Sequence, residues 1–313
     1  MDLLADIGAT SSRCALLDDK GRVLSPEVFH NADFAGVEGL LKVYLTHRRA
    51  TDQPRRAAIA IAAPVLADNV DMLNIDWQLS QAELKQNLAL NRLLVVNDFT
   101  AIANALPTLG PGDREQVGSG KSITQAPLLV LGPGSGLGVS SLIPTSDGWS
   151  AISSEGGHVT AAATTEDEAA AIALIRDKYG HCSAERILSG PGLVELYKAL
   201  AKLAGRGSPT VTAADVTALT RQSEPLATRT LDMFFALLGS VAGDLALSFG
   251  ARGGVYIAGG IVPRLIDLLK ASPFRERFAA KGRYRAYLET VPTYIITDPL
   301  AAFRGLKILL GYR

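Results

Sequence analysis

Several polar residues of this chain stand at glycine turns and strand ends, where a backbone can close on a small ligand. Asn97-Asp98 closes the apolar run LLVV and opens a helical one. Taken alone, Asp98 suits a helix N-cap. At the carboxyl end of a buried strand, where α/β proteins hold ligands, such a carboxylate can also take a proton from a hydroxyl nucleophile. Glu155-Gly156-Gly157-His158 sets a carboxylate and an imidazole three residues apart around two glycines. Such side chains suit a carbohydrate, whose hydroxyls each donate and accept a hydrogen bond. His158 has no second His or Cys at metal-ligand spacing, which argues against zinc. Glu185-Arg186 has the spacing of a surface ion pair, and His181-Cys182 reads as a solvated or packed pair.

The segment LGPGSGLG (131–138) offers different chemistry. Gly132, Gly134, Gly136 and Gly138 let the backbone approach an anion, and its N–H groups, with the Ser135 hydroxyl, can cradle phosphate oxygens. An ordinary glycine-rich hairpin is the competing reading. The dinucleotide fingerprint G-x-G-x-x-G fits poorly, because Leu137 occupies the third glycine position and a strand follows. An oxidoreductase reading therefore rests on an imperfect motif. GSGKS (118–122) resembles the end of a P-loop, but Glu115 stands where the first glycine belongs. It reads as a flexible turn with a solvated lysine.

These groups need strands and helices to hold them. Residues 3–30 read as three strands broken by turns, one of them Asp18-Asp19-Lys20-Gly21. An amphipathic helix is expected over 35–49, a buried strand over 57–65 ending at Pro64–Val65, and a helix over 80–89 capped by Ser80. LLVVND (93–98) reads as a strand and TAIANAL as the helix after it. The Gly/Pro-rich stretch 107–120 reads as a domain boundary or long connection. Strands are expected at 127–132, 138–144, 253–260 and 293–297, helices through 165–249, and a closing helix in PLAAFRGLKILL. This order argues for a mixed α/β sheet.

Bulk properties narrow the class. Lys plus Arg and Asp plus Glu both number 31, so charge gives no support for a nucleic-acid partner. Two cysteines, Cys14 and Cys182, are too few for a disulfide framework. The N-terminus has no basic region ahead of its short apolar run, and no run approaches the ~18 apolar residues of a membrane span. A soluble, cytoplasmic protein with no membrane partner is the expectation.

DIGATSSR, NDFTAIANALP, LGPGSGLGV, EGGHV, AERILSGPGL, GGVYIAGGIVPR and FRERFAAKGRYRAYL follow one another in the order of the bacterial glucokinases. Over essentially its whole length the chain resembles that family, of the actin/hexokinase/Hsp70-like ATPase superfamily. No cysteine-rich motif follows His158, which matches the zinc-free branch. The resemblance implies two mixed-sheet, ribonuclease H-like α/β domains flanking a central cleft, with a small domain of residues 1–108 plus 299–313 and a large domain of 109–298. It implies phosphorylation of glucose at the 6-hydroxyl by ATP with Mg²⁺, and a homodimer. Asn97, Asp98, Glu155, His158 and Glu185 would ring the sugar, with Asp98 as the base. Asp6 would act near the metal through water. Gly8, Ala9, Thr10, Gly134, Ser135 and Gly136 would line the phosphates, and Gly259 and Gly260 the adenosine. Where the family usually has D-x-G-G-T-N, this chain has Ala9 and Ser11 in place of the second glycine and the asparagine; Ala9 is expected at negative φ. Another hexose (mannose, fructose or an amino sugar) and a non-catalytic sugar sensor are the alternatives.

Overall fold

The computed structural model describes residues 1–48, 53–72, 75–207 and 209–312. The chain forms two compact units. The first comprises Met1–Gly110, Thr145–Ser153 and Asp298–Arg313, and the second Pro111–Pro144 and Ser154–Thr297.

The first unit opens with β1 (Asp2–Ile7), β2 (Ser11–Leu17) and β3 (Val23–His30), the three strands expected from sequence. Then come α1 (Val37–His47), β4 (Arg56–Ile61), β5 (Asn69–Met72), β6 (Trp77–Ser80), α2 (Gln81–Asn87), β7 (Arg92–Asn97) and α3 (Asp98–Ala105). The expected end of the first helix, residue 49, lies outside the described residues. In α1 the buried Val37, Leu40, Leu41 and Tyr44 follow helical spacing and face the sheet. Ser80 caps α2 by accepting the N–H of Glu83. The strand expected over 57–65 ends earlier, at Ile61, ahead of Pro64. The β5–β6 hairpin was not expected; its buried Val70, Met72, Trp77 and Leu79 join the core on the α1 side.

Five strands make one sheet in the order β3-β2-β1-β4-β7. β1, β4 and β7 run parallel, and Ile7, Ile61 and Asn97 are register partners across them. This register sets the carboxyl ends of β1 and β7 side by side, one strand apart. Alternation in β4 sends Ala57, Ile59 and Ile61 to one core and Ala58 and Ala60 to the other, with α3 and the last helix. The chain end is fastened to that sheet. Arg56 donates to the Asp2 carboxylate, which also accepts the Tyr312 hydroxyl at 2.7 Å.

In the second unit β8 (Arg114–Val117) lies within the stretch read as a domain boundary or long connection; it has one buried residue and pairs through its backbone. β9 (Leu128–Pro133) and β10 (Leu137–Thr145) form a hairpin; β11 (Gly148–Ser154), next in the chain, falls in the first unit except for its last residue. Helices α4 (Glu166–Tyr179), α5 (Ala184–Ile187), α6 (Gly190–Leu203), α7 (Ala213–Arg221) and α8 (Pro225–Phe249) fill the region expected to be helical. β12 (Gly254–Ile257), α9 (Ile266–Ala271), α10 (Phe274–Ala279), α11 (Arg285–Thr290) and β13 (Thr293–Ile296) complete the unit, and α12 (Ala301–Leu309) belongs to the first. The strand order is β10-β9-β12-β13-β8, with β9, β12 and β13 parallel. α8 is long and apolar enough to cross a membrane, yet most of it is buried in this unit's core, beside Phe274 and Phe278.

Candidate active site

Two clusters of functional groups form, one in each unit. In the first, β7 delivers Asn97 and Asp98 to the start of α3. Asn97 is the N-cap, its Oδ1 accepting the N–H groups of Phe99 (3.0 Å) and Thr100 (3.2 Å). Sequence placed Asp98 in the strand; it is the first helical residue. Its Oδ1 accepts the N–H of Phe99 and the amide of Asn97, both at 2.9 Å. These bonds fix the rotamer of the carboxyl group. Burial pushes its pKa up to about 7, the charge of Asp6 adds to the rise, and the bonds from Phe99 and Asn97 offset part of it. Asp6, at the end of β1, is also raised by burial, against the pull of the Arg13 guanidinium. Two carboxyls that resist sharing charge therefore stand at one sheet end.

The loop after Asp6 is a tight turn in which Gly8 N–H donates to Ser11 O at 3.2 Å. Ala9 is in the ordinary negative-φ region, since the described non-glycine residues with positive φ are Ser25, Ala89, Gln125 and Ser223. Sequence reasoning missed the residue that braces this loop. Asn31, 2% exposed, donates from Nδ2 to Gly8 O at 2.7 Å. Its own N–H reaches Thr10 O at 3.0 Å, and its Oδ1 accepts the Ser12 hydroxyl at 2.7 Å. An asparagine just after a strand looks like any turn residue, so no local signal marks it.

In the second unit Glu155 precedes a 3-10 turn over Gly156–His158, closed by His158 N–H to Glu155 O at 2.9 Å. Gly157 has no alternative, because a Cβ there would lie 2.0 Å from Leu137 O. Beyond the turn, Val159 O accepts Ala184 N–H and Ala161 N–H reaches Cys182 O, at 2.8 and 2.9 Å. This short ladder ties the His158 turn to the start of α5 and so brings His158 and Glu185 together, Nε2 to Oε1 at 3.8 Å. Burial raises the pKa of Glu155, with His158 lowering it and Glu185 raising it.

The expected Glu185–Arg186 pair does not form. Adjacent helix residues do not face each other. Glu185 turns to the β9–β10 loop, accepting Leu137 N–H at 2.9 Å, while Arg186 lies over the Tyr179 ring. His181 bonds the Thr160 hydroxyl at 3.1 Å. Cys14 and Cys182 are free, buried thiols.

LGPGSGLG is a hairpin, as one of its two readings required, with Gly134–Gly136 as the loop between the register partners Pro133 and Leu137. Gly134 N–H donates to Gly136 O, and the first N–H of α6, from Gly190, to Gly134 O, both at 2.8 Å. Gly259, at φ 84°, follows β12, and a Cβ on it would lie 2.4 Å from Pro133 O. Only a glycine there lets the Gly259-Gly260 turn lie against the hairpin. The structure thus gathers Gly134, Ser135, Gly136, Gly259, Gly260, Glu185 and His158 in one region. Lys121 of the P-loop-like segment is exposed elsewhere on the turn that bonds Thr290 O.

The family model that matches residues 3–312 is described as Glucokinase. A glucokinase of Paramagnetospirillum magneticum is 45% identical over 99% of this chain and 97% of its own length. The bifunctional protein glk of Paraburkholderia xenovorans is also 45% identical over 99% of this chain, which spans 48% of that longer protein. Among solved structures, the glucokinase of an Antarctic psychrotroph superposes with a TM-score of 0.85 at 36% identity, covering 99% of this chain and 98% of the other.

Proposed function

The chain belongs to the glucokinase family, and on that premise we propose that Asp98 is the base with which it phosphorylates glucose at the 6-hydroxyl, ATP being the donor. The observation that carries this reading is the Asp98 carboxyl: held by Phe99 and Asn97 at a sheet end, with a pKa of about 7. A general base works best when its pKa lies near the operating pH. Asp98 accepts the proton as the sugar oxygen attacks the γ-phosphorus and the bond to the leaving diphosphate breaks.

The remaining residues position the reactants, which is most of what phosphoryl transfer asks of a protein. Asn97 holds Asp98 and contacts the sugar. Glu155, His158 and Glu185 bind other sugar hydroxyls, the carboxylates as acceptors. Ala9 and Thr10, with Ser135 and Gly136, offer backbone N–H groups and two hydroxyls to phosphate oxygens; Gly8 and Gly134, whose own N–H groups close the two turns, line the phosphates without a side chain in the way, and Gly259-Gly260 leaves room for the adenosine.

Asp6 suits a magnesium ion. Among the described residues no three His, Cys, Asp or Glu side chains form a metal cage. Mg²⁺ needs none, since it keeps several waters and is held by one or two carboxylates plus substrate phosphates. When bound, it offsets phosphate charge. Asp6 would hold it through water, and the charge of the Arg13 guanidinium favours the ionised form of that carboxylate. A homodimer in the cytoplasm is part of the same reading; sedimentation of the purified protein tests the dimer.

An ADP-release assay with glucose, mannose, fructose and no sugar tests the function. Glucose should give the highest kcat/KM, and the sugar-free rate should be near background. Preference for another hexose would move the assignment to that sugar, and no sugar-dependent release would remove it.

A further inference from the structure

One carboxylate joins two parts of the second unit that have separate tasks. Oε2 of Glu185 accepts the N–H of Leu137, the first residue after the Gly134–Gly136 loop. Oε1 lies toward His158 Nε2. Gly136 is what permits this: an ideal Cβ on it would lie 2.4 Å from Oε2 and 3.1 Å from the carboxyl carbon of Glu185. Gly134, two residues earlier in the same loop, has space; the nearest heavy atom to its Cβ would be Gly260 N at 3.9 Å. The loop has further anchors in Gly190 N–H on Gly134 O, and Glu185 is held by the bond from Ala184 N–H to Val159 O.

We propose that Glu185, besides binding sugar, is a positioning residue that couples sugar occupancy to the phosphate hairpin. The proposal rests on the reading that places sugar at Glu185 and nucleotide phosphates at 134–136. A sugar hydroxyl bound to Oε1 fixes the carboxylate plane. The same plane sets Oε2, hence the direction of Leu137 N–H and the shape of the loop before it. Linkage makes the effect reciprocal: a nucleotide that orders the hairpin tightens sugar binding by the same factor.

The consequence is unusual for a phosphate-loop residue. A methyl group at position 136 must displace the Glu185 carboxylate, so Gly136→Ala weakens glucose binding with no nucleotide present. Calorimetry on the full chain reads this directly. Glucose affinity should fall about tenfold or more in Gly136→Ala, in the range of ordinary coupling, and change less than about twofold in Gly134→Ala. In the wild type a non-hydrolysable ATP analogue should tighten glucose binding by about fivefold or more. Glu185→Ala should weaken glucose binding and abolish that enhancement. Glu185→Gln, which keeps an acceptor oxygen for Leu137, should restore part of it, an outcome a merely structural role for Glu185 does not give.

Glucose binding that is lost in Glu185→Ala but equal in Gly136→Ala and Gly134→Ala overturns the coupling and leaves the sugar assignment intact. Unchanged binding in Glu185→Ala overturns the sugar assignment itself. If Gly136→Ala does not fold, as judged by circular dichroism, the nucleotide enhancement in wild type against the two Glu185 variants decides. Equal enhancement in all three overturns the proposal.

Discussion

Carboxylates occur in both clusters, but their surroundings differ. Asp98 and Asp6 lie in one unit, where burial raises both above the usual carboxylate range and the charge of Asp6 adds to the rise of Asp98, to about 7. In the other unit Glu185 accepts a backbone N–H and lies near His158, with 30% of its side chain exposed. On the proposed reading, the buried carboxyl that resists ionising near neutral pH is the proton acceptor, and the partly open one is a binding group. The functional group is the same in both, and the environment sets the task.

That contrast makes predictions of graded size. The largest effect belongs to Asp98→Asn, which keeps shape and much of the hydrogen bonding but cannot take the proton. Turnover should fall by about 10²–10⁴-fold, the usual contribution of a positioned base, while a binding isotherm shows glucose affinity little changed. Near-normal turnover would put Asp98 on the binding side of the comparison.

Alanine at Glu155, His158 or Glu185 should act the other way. Each should weaken glucose binding by about 1–3 kcal/mol, the cost of leaving a partner unsatisfied. A loss in kcat at unchanged affinity would remove the distinction between the clusters.

Next comes Asn31→Ala. It strips bonds from Gly8 O and the Ser12 hydroxyl, at a cost of about 1–3 kcal/mol in unfolding free energy. ATP KM should rise more than glucose KM, because the loop it braces is assigned to phosphate. Equal changes in both constants would show that Asn31 acts on stability alone.

Ala9→Gly should do least. With φ negative at this position, the methyl is tolerated and only the unfolded chain gains freedom, so stability should drop by about 0.4–1 kcal/mol in a denaturant titration. ATP affinity should change less than about tenfold, or ~1.4 kcal/mol. A large gain in affinity would mean that the Ala9 methyl crowds the phosphate.

Particular residues show what the sequence made legible. β4 could be read because Ala57–Ile61 is an unbroken apolar run, and Ser80 because a cap needs only its own helix. β11 escaped notice because every residue in it is exposed or half-exposed, so no apolar pattern betrays the strand. The β5–β6 hairpin was hidden for another reason: its alternation is only four residues long on each side. At the candidate site, residue types and motif order singled out polar groups, but not what holds them. The partner of Glu185 is Leu137, 48 residues away, and that of Asn31 is Gly8, 23 away. Spacing within a motif carries no information about such bonds; only the sheet registers that bring the segments together do.

The pH dependence of kcat/KM for glucose tests the central claim most directly. That ratio reports the ionisation of the free enzyme. A base must be deprotonated to act, so with Asp98 raised to about 7, log kcat/KM should rise with unit slope at acid pH, bend near 7 and level off above it. The residual rate of Asp98→Asn should lack that bend. A wild-type profile already flat from about pH 5 upward, where an ordinary carboxylate is fully ionised, would contradict the account.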